Sequence, residues 1–448
     1  MKYLFFISAV LGMLPAVMIL ICERYLIRLA ALGLFIPLTM FNRTAINFFS
    51  KEIYRGTSRG LEISIIYIVA VIIICTVFIL KGMQNPFPDR GSRLYLWYFL
   101  FSLPSLTTAG TLSVSVFELW KMVMVYLVFM AVYYYLKFSE GDLDVIMLGT
   151  GTLVVVNFFT MLYQHFTGIY QPNGIFPHQN SMAMFMMMAG LIFFARYFNH
   201  REKWKSTLCF ILFGMASVAL VRTYSRGAIA CYPVGGIIAV LFSLRYTFSI
   251  RKMYVVSLLA IILIGTTLYF VPRIVKRFES APEASANTRK DFALVAKNMI
   301  EHRYIRGVGI NNWGYAVNPP YTYSEFRRER DKFDEDKKDG IVETVYLLIA
   351  AECGLPCLFI FLCWLGYYWV TSLRLIKKLS GTPYFYFPVG TLGGLTGVML
   401  QSTLEWVLKQ QMNFIFLMIV FAVISYLNQF YRQLTPDLDN ENAGKTDA

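Results

Sequence analysis

The sequence is poor in charged residues and in the side chains that most often bind metals. Only 15% of the 448 residues are charged, whereas soluble domains carry roughly 25%. The four histidines are dispersed, and the seven cysteines lie in or beside apolar segments without a C-x-x-C pair. These shortages argue against a soluble fold, a metal site and a disulfide framework, and we interpret the cysteines as packing residues.

The excess of positive charge is not distributed as in a nucleic-acid-binding protein. The net charge is +14. However, the basic residues cluster in short loops between apolar runs, as is typical of membrane proteins. We therefore expect no nucleic-acid partner. The chain also shows no internal repeat.

Long apolar runs are abundant. A helix needs about 20 apolar residues to cross the hydrocarbon core, and the crossing must be helical because lipid offers no partner to an open backbone. We predict an all-α integral membrane protein with about 12–13 transmembrane helices. The predicted spans are approximately 3–22, 25–41, 63–80, 95–112, 115–136, 143–163, 181–198, 207–222, 227–243, 253–271, 342–370, 385–408 and 411–430.

The basic loops predict the orientation of these spans. Positive charge is retained in the cytoplasm, so we place three loops there: 196–206, 244–252 and 373–378. Four connections then fall on the outer face: 164–180, 222–226, 272–341 and 402–411. For the N-terminal third two topologies remain open. Thirteen spans put the N-terminus and the basic loop 42–62 outside, whereas a re-entrant segment at 95–112 puts both inside.

The stretch 272–341 is the exception to the hydropathy. Its roughly 70 residues contain no span and are too many for an idle connection. Asn287 or Thr288 is expected to cap a helix there, with Phe292, Val295, Ala296, Met299 and Ile300 on one face. We predict four parts: an N-terminal bundle over 1–271, a periplasmic cap over 272–341, C-terminal helices over 342–430 and a disordered cytoplasmic tail over 431–448.

Two polar clusters stand at the outer ends of spans. The segment 174–183 contains His178 and Asn180, and a loop followed by a helix cap at Asn180 or Ser181 would explain most of it. The segment 221–228 contains Arg222 and Arg226, which share one helix face if helical geometry continues between them. Outer-face arginines run against the usual charge distribution. Snorkelling would explain them, but guanidinium groups also bind diphosphate oxygens in pairs.

A third cluster follows the predicted cap. Arg289 lies near the start of its helix and is either a surface charge or a ligand. Glu343 opens the next span, where it either caps that helix or acts on substrate. Glu405 is an ionisable residue at membrane depth, which by default suggests a functional site, with Lys409 one turn away as an alternative partner.

The motifs, in this order, resemble the O-antigen ligase and polymerase superfamily, bacterial membrane glycosyltransferases that use undecaprenyl-diphosphate-linked glycans. Layout agrees over roughly 60–430, and the strongest matches lie between 174 and 360. The motifs are Gly174-x-Phe176-x-x-x-Asn180, Ser225-Arg226-Gly227-Ala228, Arg289 with Gly307-Val308-Gly309-x-Asn311-Asn312-Trp313, and Glu352-x-Gly354-Leu355-Pro356. One position departs from the family pattern, because Glu343-Thr344 stands where the family has a histidine that is assigned as the base.

The resemblance implies transfer of a lipid-diphosphate-linked glycan to an acceptor hydroxyl on a glycan or lipid, at the outer face of the bacterial inner membrane. Inversion at the anomeric carbon without a metal or cofactor would follow. Arg226 and Glu343 would be catalytic, and the substrate-binding residues would be Arg222, Arg289, His178, Asn180, Asn312 and Glu405. Three alternatives remain: a polymerase of lipid-linked repeat units, a transporter or flippase of a lipid-linked or anionic substrate, and a non-catalytic scaffold. A transporter should show paired broken helices or an internal repeat, and the sequence shows neither.

Overall fold

The fold is given by a computed structural model. It describes residues 2–51, 54, 56–199, 203–248, 250, 252–254, 283–318, 320–327 and 340–434. Nearly all of the predicted span 253–271, most of the predicted tail 431–448 and residues 328–339 of the predicted cap lie outside the described residues.

The first half of the chain consists of helices and one short hairpin. The helices are α1 (Lys2–Leu11), α2 (Met13–Cys22), α3 (Leu26–Gly33), α4 (Ile36–Thr39), α5 (Phe41–Thr44), α6 (Ile65–Lys81), α7 (Arg90–Ser102), α8 (Leu112–Phe138), α9 (Leu143–Phe166), α10 (Gln179–Asn199), α11 (Lys203–Arg222) and α12 (Arg226–Tyr246). A 3-10 turn, Leu103–Thr108, follows α7. Strands β1 (Ala45–Phe48) and β2 (Leu61–Ser64) pair antiparallel, with Ala45 opposite Ser64.

The second half contains the cap and the last spans. Its helices are α13 (Glu283–Arg303), α14 (Trp313–Ala316), α15 (Val345–Cys353), α16 (Leu355–Lys378), α17 (Tyr386–Gln401) and α18 (Gln411–Phe430). Short 3-10 turns occupy Glu325–Arg327 and Val407–Lys409.

Seven described helices are long and apolar enough to cross a membrane, which confirms the all-α membrane class. They are α8, α9, α10, α11, α12, α16 and α18. Shorter apolar helical segments occupy Met13–Cys22 (α2), Leu26–Thr39 (α3 with α4) and Ile65–Lys81 (α6). The number of long apolar helices among the described residues is below the predicted 12–13, partly because some predicted spans consist of two shorter helices. Span 3–22 is interrupted at Gly12, and span 342–370 is interrupted at Gly354.

The loop between α5 and α6 contacts the predicted cap. Asn311 accepts a hydrogen bond from the backbone N–H of Thr57 (2.8 Å) and donates one to the carbonyl of Ser58 (2.8 Å). Loop 42–62 therefore lies at the same end of the bundle as the cap. This excludes the topology in which a re-entrant segment at 95–112 would place that loop on the opposite side.

The cap shares its core with the helix that follows it. Phe292, Val295 and Met299 are buried on one face of α13, as the spacing predicted, and they join Leu348 and Ala351 of α15 in one apolar cluster. Helix α13 already includes residues 283–286, so the prediction that Asn287 or Thr288 caps it was wrong. The cap is therefore packed directly onto the start of α15.

The predicted turn Gly307-Val308-Gly309 joins the cap to the membrane helices. The backbone N–H of Val308 donates to the carbonyl of Ala351 (2.9 Å), and that of Gly309 donates to the carbonyl of Glu352 (3.0 Å). Gly307 has a φ of +67°, and a Cβ there would lie 2.3 Å from the Glu352 carbonyl. Only glycine allows this close approach of the two backbones.

Candidate functional site

The connection between α17 and α18, residues 402–410, brings the predicted clusters together. Ser225 donates a hydrogen bond to the carboxylate of Glu405 (3.2 Å), and Thr344 donates to the carbonyl of Thr403 (3.0 Å). Gln401, the last residue of α17, donates to the carbonyl of Asn180 (3.4 Å). Residues far apart in the sequence thus meet at one end of the bundle, beside the cap.

The junction between α11 and α12 breaks the helix between the two arginines. Tyr224 has a φ of +56°, and Ser225 caps α12 by accepting a hydrogen bond from the N–H of Ala228 (3.3 Å). Helical geometry does not continue through the junction, so the condition under which Arg222 and Arg226 would share one helix face is not met. Arg222 is exposed and lies 3.3 Å from the His165 ring, whereas Arg226 is half-buried at the first turn of α12.

Gly227 explains how Glu405 reaches this junction. A Cβ at residue 227 would stand 3.2 Å from the Glu405 carboxylate and 3.4 Å from Leu404. A larger side chain would push the 402–410 connection away from α12, because a contact this tight requires the neighbour to move. The small residue after Arg226 therefore allows a carboxylate to sit beside the arginine-bearing turn.

Glu405 is a buried acid with a raised pKa. Its side chain accepts hydrogen bonds from Ser225 and from Gln401 (2.7 Å). Burial raises the pKa of this carboxyl to about 7, although both hydrogen bonds oppose the rise. Glu343 raises the pKa further and Arg289 lowers it, so the three side chains interact electrostatically. The alternative pairing of Glu405 with Lys409 was wrong, because Lys409 pairs with Glu118 and Glu352.

Arg289 and Glu343 form an ion pair at the edge of the cap. A guanidinium nitrogen of Arg289 lies 2.5 Å from the Glu343 carboxylate, and the side chains are 44% and 37% exposed. Helix α15 begins at Val345 after Thr344, two residues beyond Glu343. The ion-pair partner of Glu343 is thus an arginine, and the pair remains accessible to a substrate.

The turn before α10 is built around the first motif. Gly174 has a φ of +59°, and a Cβ there would lie 2.5 Å from the Asn157 side chain. His178 accepts a hydrogen bond at Nδ1 from the N–H of Asn180 (3.2 Å) and is itself exposed. Helix α10 already begins at Gln179, so neither Asn180 nor Ser181 caps it as expected. Ser181 instead contacts Gln410 of the 402–410 connection.

Asn312 is placed differently from the other predicted site residues. It is buried, accepts a hydrogen bond from the N–H of Thr111 (2.9 Å), and donates to Ser115 (2.8 Å) and to the Ile310 carbonyl (3.0 Å). These contacts hold the cap turn against the start of α8. Its predicted role in substrate binding stays a prediction, and its observed contacts are with the protein itself.

A network of buried charged residues joins α8, α15 and the 402–410 connection, and the sequence analysis did not predict it. Lys409 lies 3.4 Å from Glu118 and 3.3 Å from Glu352, and Lys121 lies 2.7 Å from Glu118. All four side chains are at most 4% exposed. The signal was present, because Glu118 and Lys121 are two ionisable residues three apart within an apolar run.

This network ties three parts of the chain to one another. Glu118 also accepts hydrogen bonds from Thr57 and Ser58 (both 2.6 Å), which belong to the loop before β2. Glu352 accepts one from the backbone N–H of Trp313 (3.2 Å) in the cap. Because Lys409 lies in the 402–410 connection, the network holds this connection, the cap and the N-terminal loop at one end of α8.

Among the described residues, no group of three or more His, Cys, Asp and Glu side chains could hold a metal ion. The arrangement instead offers two arginines and two carboxylates, Arg226, Arg289, Glu343 and Glu405. Guanidinium groups can neutralise a diphosphate, and a carboxylate can accept a proton. The prediction that the reaction needs no metal or cofactor stays a prediction.

Comparison with known families agrees with the motifs. Residues 208–362 match the family model described as O-Antigen ligase, which confirms the resemblance and supports a ligase- or polymerase-type function. This match covers about a third of the chain. It includes Arg222, Arg226, Arg289, Asn312 and Glu343, and it leaves out His178, Asn180 and Glu405. Comparison with curated proteins gives no match.

Proposed function

We propose that this multi-pass membrane protein, with its O-antigen ligase match over residues 208–362, transfers a glycan from undecaprenyl diphosphate to an acceptor hydroxyl. The reaction takes place at the cap end of the bundle, on the periplasmic face of the bacterial inner membrane. The observation that carries the proposal is the meeting of the Arg226 turn, the Arg289–Glu343 pair and Glu405 around one connection.

The proposed reaction is a single displacement. The acceptor oxygen forms a bond to the anomeric carbon, and the bond from that carbon to the diphosphate oxygen breaks, which inverts the configuration. The electron pair of the broken bond stays on the diphosphate, so negative charge develops there. Arg226, supported by Arg289 and Arg222, stabilises this charge, because fixed cations in a water-poor site lower the energy of the transition state.

The acceptor proton must pass to a base, and the two carboxylates differ in fitness for this role. Glu343 is engaged in an ion pair, with its carboxylate 2.5 Å from a guanidinium nitrogen of Arg289. Glu405 is buried and has a pKa of about 7, near the value that suits general-base catalysis at neutral pH. We assign the proton to Glu405 and give Glu343 the role of holding Arg289 beside the diphosphate.

Arg226 provides the direct test of the proposed function. Loss of one preorganised electrostatic group costs about 10²–10³ in rate, so Arg226→Ala should reduce transfer by that factor in membranes that contain equal amounts of protein. Arg226→Lys should recover little, since an ammonium group cannot bind two phosphate oxygens in a fork. Arg303→Ala, at an exposed position of the cap, is the matched control. Full activity of Arg226→Ala would refute the proposed role.

The acceptor decides between a ligase and a polymerase. If the acceptor is a lipid or core glycan, a strain that lacks the protein should accumulate full-length lipid-linked chains. If the acceptor is another lipid-linked glycan, single lipid-linked repeat units should accumulate instead. Unchanged lipid-linked glycans in the deletion strain would contradict both versions of the proposal.

A further inference from the structure

A cavity of about 270 Å³ lies at the cap end of the bundle, between the turn at 56–60, the start of α8 and the connection into α18. Its lining combines aromatic residues with amide-bearing and basic ones. They include Trp120, Trp406, Asn47, Arg59, Gln410 and Gln411. No predicted site residue lines the cavity.

This lining has the chemistry that recognises a sugar ring. A pyranose has faces of C–H groups, which pack on indole rings, and a rim of hydroxyls that donate and accept hydrogen bonds. Amide side chains offer both donors and acceptors to such hydroxyls. The volume of about 270 Å³ lies just below the range of about 300–1,000 Å³ for small-molecule sites, which suits one sugar residue better than a long glycan.

The cavity adjoins the proposed reaction centre. Trp406 follows Glu405 in the chain, and Pro177, another lining residue, precedes His178. Glu405 contacts Ser225 of the arginine-bearing turn, whereas Trp406 and Gln410 line the cavity. The 402–410 connection therefore contributes residues both to the arginine-bearing turn and to the cavity, so a sugar held there would lie beside the proposed reaction centre.

The charges of the cavity fit a sugar better than a diphosphate. Lys121 lines it, but the Lys121 ammonium lies 2.7 Å from the carboxylate of Glu118, which neutralises it. Arg59 and Glu62 add one positive and one negative charge to the lining, so the cavity carries no excess of positive charge. A diphosphate would be better placed at Arg226 and Arg289, so the cavity is left for a neutral portion of the substrate.

We propose that this cavity is the subsite for the acceptor sugar, the residue whose hydroxyl receives the glycan. The proposal rests on the proposed function for the identity of the reaction. It adds a location for the acceptor, in a part of the chain that lies outside the family match over 208–362. The lining residues position the acceptor and take no part in the proton transfer.

Binding can be measured without the transfer reaction. The full-length protein in lipid nanodiscs would be examined by saturation-transfer difference NMR with glucose, galactose, N-acetylglucosamine and a heptose as probes. At least one sugar should give a signal that Trp406→Ala removes and that Asn47→Ala weakens. Asn47 is exposed, so its variant keeps the test independent of folding, and Trp97→Ala, an exposed tryptophan on α7, is the control. No signal from any probe, or a signal equal in all variants, would overturn the proposal.

Transfer kinetics then distinguish the acceptor from the donor. With purified lipid-diphosphate donor and varied acceptor, Asn47→Ala should raise the acceptor KM about tenfold, with donor KM and kcat near the parental values. A raised donor KM would mean that the cavity binds the donor sugar and would overturn the assignment. Absence of transfer by the parental protein would refute the proposed function, while the NMR result would still stand as evidence for or against a sugar site.

Discussion

At the scale of single residues, the central feature is a pair of carboxylates in different surroundings. Glu343 is partly exposed and paired with Arg289, whereas Glu405 is buried and hydrogen-bonded to neutral groups. Two acids in such different environments commonly have different roles in catalysis. Glu343 stands where the motifs of the resembled family predict a histidine, and Glu405 is a second acid that comes from a distant part of the chain.

The pH dependence of transfer should identify the base. Since Glu405 has a pKa of about 7, its proton-accepting form is lost below that pH. Transfer should fall about tenfold per pH unit below 7 and level off above it, and Glu405→Gln should lower the plateau by about 10²–10⁴. Initial rates between pH 5 and 9 would show this. If the wild-type profile is flat across pH 7, Glu405 is not the base.

Glu343 should behave differently on substitution. Glu343→Gln keeps a polar group beside Arg289 but removes the charge that holds it, so transfer should fall and the pH profile should keep its step near 7. Glu343→His restores the residue of the family pattern and should retain measurable transfer. Loss of the pH step in Glu343→Gln, with the step intact in Glu405→Gln, would return the role of base to Glu343.

At the scale of secondary-structure elements, the buried ions are what connect the cap, α8 and the 402–410 connection. Lys409 forms ion pairs with two carboxylates, Glu118 and Glu352, which belong to different helices. Removing one partner of a buried ion pair leaves a charge without water or counter-ion, which is costlier than never having had the pair. The network thus sets the relative positions of elements that carry the site.

Lys409→Met should therefore destabilise the protein by about 3–5 kcal/mol, because Glu352 loses its cation. The thermal unfolding midpoint of the purified full-length protein should fall, and transfer should fall with it even though Lys409 touches no substrate. Lys297→Met is the matched control, since Lys297 is 66% exposed and its ion pair with Glu301 lies in solvent. Equal midpoints for both variants would show that the network contributes little to stability.

At the scale of the whole molecule, the two ends of the bundle are chemically distinct. The cap end gathers Arg226, Glu343 and Glu405. The opposite end gathers the loops predicted to be cytoplasmic, where Arg196 pairs with Asp144 (2.5 Å) and Lys252 donates to Asn199 (2.7 Å). Positive charge at that end agrees with retention in the cytoplasm.

This orientation can be measured by labelling in intact cells. A cysteine introduced at Lys297 of the cap should react with an impermeant thiol reagent, and one at Trp204 should react only after the membrane is opened. Both positions are well exposed, so access to the cell exterior decides the outcome. Cells that carry the parental protein, with its seven native cysteines, give the background. Labelling of the Trp204 variant in intact cells would reverse the proposed orientation.

The sequence by itself determined the membrane class, the approximate positions of most spans, the apolar face of the cap helix and the motifs that resemble O-antigen ligases. These are local properties: apolar runs and 3.6-residue spacing act within one segment, so no partner needs to be known. The arginines were also visible, because positive charge at a predicted outer face contradicts a statistical rule that applies to single loops.

Only the tertiary structure decided which polar residues meet. Glu405 faces Ser225 across 180 positions of sequence, and Lys409 reaches Glu118 across nearly 300. Pairings of this kind depend on how the helices pack, which a single sequence does not reveal. The same is true of the break between Arg222 and Arg226, since it follows from a turn at Tyr224 that close packing against the 402–410 connection stabilises. Local patterns located the groups, and helix packing determined their partners.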